Sequence, residues 1–266
     1  MAEFTSADSY EQFERTVKTK ARFAIEDSVR EFLSVVLQTA PKRLGKLKKE
    51  KILYRAQRGF AIEQRSSNIA GEDEDEEMDV KVALPPERMV PRAEFLGDGR
   101  VNPRGIPCLY LASSPSAAIS EMRPWVGSAI TLARFRAVSD LRLVECSLNT
   151  TRNWLVEDKE DAVWGDIGYA FSKPVTHDEP HLDYVPTQIL AESFKNGGFD
   201  GIVYKSLLDE RGKNLALFDV GSATLLTCCL YEIKAASLEC VKNEDSPTAW
   251  PKTIKSELRR KQTLGL

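Results

Sequence analysis

The stretch Gly97-Asp-Gly-Arg-Val-Asn-Pro-Arg-Gly-Ile-Pro-Cys-Leu-Tyr-Leu-Ala-Ser-Ser-Pro-Ser-Ala-Ala-Ile-Ser-Glu121 reads as a loop, a strand and a helix in succession. Glycine and proline punctuate its first half, which carries Arg100, Asn102 and Arg104. The apolar run 106–112 around Tyr110 is short and predicts a strand buried on both faces. Residues 113–116 then predict a turn, with Pro115 suited to a first helical turn and a helix running over 117–122 to stop before Pro124. Glu121 sits on that helix. A guanidinium, a phenol and a carboxylate around one strand suit an anionic ligand with sugar hydroxyls, and so a nucleotide.

Working outward, Ile52-Leu-Tyr-Arg-Ala56 predicts a strand with a Tyr-Arg pair at its centre. Residues 130–137 and 141–146 alternate apolar and polar side chains, the pattern of half-buried strands. Residues 187–195 predict a short amphipathic helix ended by Asn196-Gly-Gly198. Strands follow over 199–204, 214–218 and 225–235, with a polar loop over 205–213. Residues 10–40 carry apolar positions at three- and four-residue steps and read as helical. Ser28 and Glu31 have capping-box spacing, which predicts a second helix starting there. The basic run 42–51 reads as a solvated connector, and the acidic run 71–79, within the segment 66–91, as a mobile surface loop. Residues 150–183 are mixed, with helical pieces. No internal repeat is visible.

The expected organisation is an N-terminal helical segment over 1–49, a main domain over 50–240 and a polar tail over 241–266. The expected fold class is α+β, with many short strands and few helices. No G-x-G-x-x-G opens a helix after a strand, which argues against a Rossmann-type dinucleotide site.

Composition narrows the function. The 266 residues are 29% charged and 42% hydrophobic, as in ordinary globular proteins. A net charge of −3 argues against a general nucleic-acid binder. The five cysteines, with Cys228 beside Cys229 and no C-x-x-C spacing, fit neither a disulfide framework nor a zinc site, and buried free thiols are expected. No signal peptide or membrane-spanning run is evident, so a cytoplasmic protein with no membrane partner is expected. The two histidines, His177 and His181, share one loop that reads as exposed. Neither a G-x-S-x-G elbow, an H-E-x-x-H pair nor a Walker loop is present, so no metal is expected.

Arg55, Arg100, Tyr110, Glu121 and Ser206 remain. The segments Leu53-Tyr-Arg55, Gly99-Arg-x-Asn-x-x-Gly-x-Pro-x-x-Tyr110, the helix with Glu121, Thr187-Gln188, Gly201-Ile-Val-Tyr-Lys-Ser206 and 214–218 together resemble a RES domain, over residues 50–220. The resemblance implies a split β-sheet fold related to ADP-ribosyltransferases and an activity that destroys NAD⁺, often as the toxin of a toxin–antitoxin pair. It implies Arg55, Glu121 and Ser206 as catalytic residues, with Arg100, Tyr110 and Asn102 binding substrate. A tryptophan often follows the loop arginine in that family, whereas Val101 stands here. NAD⁺ is the expected substrate, with no further cofactor. A helical antitoxin is an implied partner, and the N-terminal helices are open to an inhibitory role in cis or to homo-oligomer formation.

The residue types suit that chemistry. Breaking the nicotinamide–ribose bond develops oxocarbenium character, which a carboxylate stabilises. Arginines hold a diphosphate through paired, charge-assisted bonds. The expected reaction is glycohydrolysis or phosphate-dependent cleavage. ADP-ribosyl transfer to a macromolecule and a non-catalytic nucleotide-binding module are the alternatives. Each residue also has a structural alternative: Glu121 paired with Arg123, Arg55 bridging strands, Tyr110 in the core, Ser206 capping a turn.

Overall fold

The computed structural model describes residues 3–67, 76–147, 158–173, 181–235 and 237. Alternating burial builds its sheet. In β5 (Leu109–Ala112), Leu109 and Leu111 pack with Phe135, Leu215 and Leu217 on one face, whereas Tyr110 packs against the cluster on the other. The other strands are β1 (Leu44–Leu47), β2 (Ile52–Arg58), β6 (Ala129–Ala137), β7 (Leu141–Glu145), β8 (Gly201–Lys205), β9 (Lys213–Leu217) and β10 (Ala223–Glu232). Their order in the sheet is β1-β7-β8-β9-β5-β2-β6-β10. Only the β7–β8 pair is parallel; its neighbours are antiparallel. A separate hairpin pairs β3 (Ala61–Ser67) with β4 (Glu76–Val82).

One face of the sheet is covered by α1 (Ser9–Thr19), α2 (Asp27–Thr39), α5 (Lys159–Ser172) and α6 (Val185–Asn196). Their shared core holds Phe13, Phe32, Val36, Trp164, Phe171 and Phe194 against Ile202 and Ala216 of the sheet. Burying side chains of this size stabilises the fold by about 1.5–3 kcal/mol each. On the opposite face α3 (Pro86–Met89) inserts the fully buried Met89 beside Leu53 and Phe135. The short α4 (Pro115–Ser120) lies on β2, β5 and β6.

Four expectations change. Residues 1–49 do not stand apart from the main domain: α1 and α2 share the core of α5 and α6, and β1 is an edge strand of the sheet. All these elements belong to the first of the chain's two units, Met1–Lys234. The capping box at Ser28 is not formed; α2 starts at Asp27, with Glu26 as its cap residue and no side-chain cap bond. Three of the six cations in the basic run 42–51 are paired: Lys42 meets Glu160 at 2.7 Å, Arg43 meets Asp161 at 2.6 Å and Lys48 meets Asp140 at 2.8 Å. Part of the acidic segment, 76–82, is strand β4, because cross-strand pairing with β3 satisfies its backbone. Residues 68–75, the expected tail 241–266 and Cys240 lie outside the described residues.

Candidate active-site cleft

Strands β2 and β5 are neighbours in the sheet but meet at one residue pair, Tyr54 with Ala112. By contrast β2 pairs with β6 from Ile52–Arg136 to Arg58–Ile130, and β5 with β9 from Leu109–Leu217 to Ala112–Asn214. Where β2 and β5 part, the backbone ladder is replaced by a side chain: Arg55 Nη1 donates to the carbonyl of Tyr110 at 3.0 Å. A cavity of about 230 Å³ opens there, lined by Tyr54, Arg55, Tyr110, Ala118, Glu121 and Met122 among others. The Nε of Arg55 is buried with no hydrogen-bond partner among the described residues. Burial pulls the pKa of this guanidinium below its ordinary value.

Glu121 caps the C-terminal end of α4. The N-terminus of α4 is set by Ser114, whose hydroxyl accepts from the Ala117 amide at 3.1 Å, with Pro115 in the first turn. The carboxylate is exposed, yet one of its oxygens is firmly held. Ser206 Oγ donates to Oε1 at 2.8 Å and Asn214 Nδ2 donates to the same oxygen at 2.7 Å. Ser206 is fully buried just beyond β8, and its Oγ accepts from the Leu208 amide at 3.3 Å, which leaves the hydroxyl proton for Glu121. Asn214 stands on β9 opposite Tyr204. Gly212 lets the intervening loop approach α4: a Cβ there would come within 2.6 Å of the Ala117 Cβ.

Arg100 lies on the other side of Glu121. Its Nη1 and Nη2 donate to the carbonyls of Ala170 and Lys173 at the end of α5, and its guanidinium lies 5.7 Å from the Tyr184 ring. A cation there complements the unpaired carbonyls and the helix dipole. A second cavity, of about 260 Å³, is lined by Arg100, Glu121, Arg123, Phe171, Lys173 and Leu208 among others. Glu121, Tyr204 and Asn214 line both cavities.

Asn102 and Tyr110 turn inward. Asn102 is 3% exposed; its Oδ1 accepts from Tyr110 Oη at 2.8 Å and its Nδ2 donates to the carbonyls of Gly97 and Pro103. Tyr110 Oη also accepts from the Val101 amide at 2.9 Å, and burial pushes its phenol well above the usual pKa. Gln188 of α6 donates to the carbonyls of Gly99 and Asn102, strapping the loop to the helix. These polar groups hold the loop in shape, while Tyr110 also lines the first cavity. Val101, where the resemblance leads one to expect tryptophan, is buried in the core.

The structure therefore brings Arg55, Tyr110 and Glu121 to one cavity and Arg100 and Glu121 to the next, with Ser206 buried behind the carboxylate. The two arginines do not share one cavity, so a joint grip on one diphosphate does not follow. The alternative reading, Glu121 paired with Arg123, is not what the described residues show: its carboxylate takes bonds from Ser206 and Asn214 instead. Sequence gives Asn214 no role and Arg123 only that of an alternative ion-pair partner for Glu121; the one signal for Asn214 is an amide opening an otherwise apolar strand. His177 and the His181 side chain lie outside the described residues.

The RES domain family model matches residues 85–238, which include Arg100, Glu121, Ser206 and Asn214. The chain belongs to the RES domain family. The matched region of the RES domain begins after β2, so Arg55 joins the site through the sheet rather than through the match. Among solved structures, a chain of the M. tuberculosis MbcT–MbcA toxin–antitoxin complex is similar at 15% identity and a TM-score of 0.36, covering 75% of this chain and 92% of that one. No curated protein matches the chain. No helix among the described residues of this RES protein is long and apolar enough to cross a membrane.

Proposed function

We propose that the cleft binds NAD⁺ and splits its nicotinamide–ribose bond. The observation that carries this reading is the carboxylate of Glu121, held through Oε1 where an apolar-walled cavity adjoins a cationic one. NAD⁺ has the matching sequence of parts: a flat base, a ribose, then a diphosphate. The base enters between β2 and β5, the ribose lies against Glu121, and the phosphates lie toward Arg100.

As the glycosidic bond breaks, its electron pair returns to the pyridinium nitrogen and neutral nicotinamide leaves. Positive charge moves from the ring to the ribose, away from Arg55 and toward Glu121. Both shifts favour the transition state over the bound substrate. Fixing Oε1 in advance leaves Oε2 for the ribose hydroxyls with little reorganisation. Water then adds to C1′ and releases a proton to solvent. The leaving group is cationic from the start, so no metal or further cofactor is needed.

Release of such an activity inside a cell would be toxic, and control by an antitoxin follows from this reading. The exposed Leu207 and Leu208, both lining the cationic cavity, offer an apolar rim for that partner. Cytoplasmic NAD⁺ is the corresponding substrate pool.

Purified protein and Glu121→Gln are incubated with NAD⁺, with and without phosphate, and the products separated. Wild-type depletion with release of nicotinamide, absent in the variant at equal folding, supports the reading. Free ADP-ribose marks hydrolysis, a phosphorylated product marks phosphate-dependent cleavage, and label on protein marks transfer. NAD⁺ unconsumed by wild type overturns it.

A further inference from the structure

Arg123 has a left-handed backbone, with φ of 44°, in a chain where glycines hold most such positions. Side chains with a Cβ avoid that region, and Pro124 restricts the residue before it further. The corner is clamped from outside. Arg58 of β2 donates to the carbonyls of both Met122 and Arg123 and stacks 5.0 Å from the Trp125 ring. Strain maintained in this way accumulates where a side chain must be aimed. Here that residue, Arg123, lines the cavity shared by Arg100 and Glu121.

Of the cations around that cavity, Arg100 is occupied by the end of α5, and Lys173 lies 3.9 Å from Asp183. Arg123 has no side-chain acceptor among the described residues. We infer that Arg123 is the phosphate-binding residue of this site, and that it makes the site selective for a ligand carrying a diphosphate over the bare nicotinamide riboside. The inference rests on the NAD⁺ reading and adds a specificity-determining residue to it. A guanidinium with open donors forms forked, charge-assisted bonds to phosphate oxygens, which fits a diphosphate passing the cavity mouth.

The test is Arg123→Gly, which removes the charge while accepting the same backbone without strain, so the melting temperature holds or rises. ADP-ribose binding is titrated by calorimetry, and NAD⁺ kinetics are measured at low and high salt. Expected are a rise of about tenfold or more in both KM for NAD⁺ and the dissociation constant for ADP-ribose, a kcat within about twofold, and a flatter salt dependence. Arg123→Lys recovers part of the loss. If wild type consumes NAD⁺ and Arg123→Gly binds ADP-ribose equally well, this assignment fails and the NAD⁺ reading stands. If wild type neither consumes NAD⁺ nor binds ADP-ribose, the underlying reading fails and takes the assignment with it.

Discussion

Ser206 Oγ and Glu121 Oε1 lie 2.8 Å apart although 85 positions separate them in the chain. The serine is fully buried and the glutamate exposed, so the bond ties a solvent-facing carboxylate to the interior. On the proposed reading this buried serine steers the acid rather than attacking as a nucleophile.

Ser206→Ala removes one of two donors to Oε1. A hydrogen bond to a charged group contributes about 1.5–3 kcal/mol. Turnover of NAD⁺ is expected to fall at least tenfold with KM little changed. Asn214→Ala acts in the same direction, and the double variant loses less than the sum, because both bonds restrain one oxygen. Steady-state kinetics on the three variants check this; unaltered kcat in Ser206→Ala would falsify the steering role.

Gly99→Ala introduces a Cβ that runs into Asn102 Oδ1 and lies 2.6 Å from Tyr110 Oη. Neither partner can retreat without losing its buried bond. The cost is about 1–3 kcal/mol, with activity lost as Arg100 shifts. Gly105→Ala meets nothing within 4 Å and bears only the strain of its φ of 84°. Comparing the two urea midpoints decides whether the 97–104 loop is rigid.

Removing residues 1–49 strips α1, α2 and β1 from the fold. Trp164 then loses the Thr39 hydroxyl that accepts from its Nε1 at 3.0 Å and the Arg43 guanidinium 5.1 Å from its ring. The truncated chain is expected to aggregate, or to melt without a cooperative transition and to bind hydrophobic dyes. A sharp calorimetric transition in residues 50–266 would show that the N-terminal helices are dispensable.

Alkaline stability follows from the buried thiol of Cys108, which burial raises from 9.0 to about 12. Below pH 9 the thiol is protonated in both folded and unfolded chains. Between 9 and 12 only the unfolded chain releases the proton, so stability drops as pH rises, by about 1.4 kcal/mol per pH unit at most. Tyr110 shifts in the same direction and adds to the loss above its own ordinary value. Urea midpoints from pH 8 to 11 should decline, and Cys108→Ala should decline less steeply. Identical slopes would assign the effect to other groups.

Much of this architecture was legible in the residues. The alternation over 130–137 and 141–146 and the glycine stop at 196–198 give strands and a helix close to their observed bounds. Strands β1 and β4 were not legible, for different reasons. Leu44-Gly-Lys-Leu47 offers only two apolar residues within a basic run, and its pairing partner β7 is nearly a hundred positions away. β4 belongs to a hairpin with much of its surface exposed, so no core pattern marks it. Glu121 and Ser206 could be named through ordered motifs, but their direct bond and the part of Asn214 depend on long-range contact. The engagement of Arg100 by α5 is of the same kind: the carbonyls it reaches belong to a helix in a stretch where sequence patterning is weak.

The lone Tyr54–Ala112 rung has one more implication. Each half of the sheet keeps its own ladder, with one register shift between β6 and β10, so the gap between the halves can be widened or narrowed without unpicking either. On the proposed reading, substitutions near that seam tune which base rings enter while the pairing on both flanks stays intact.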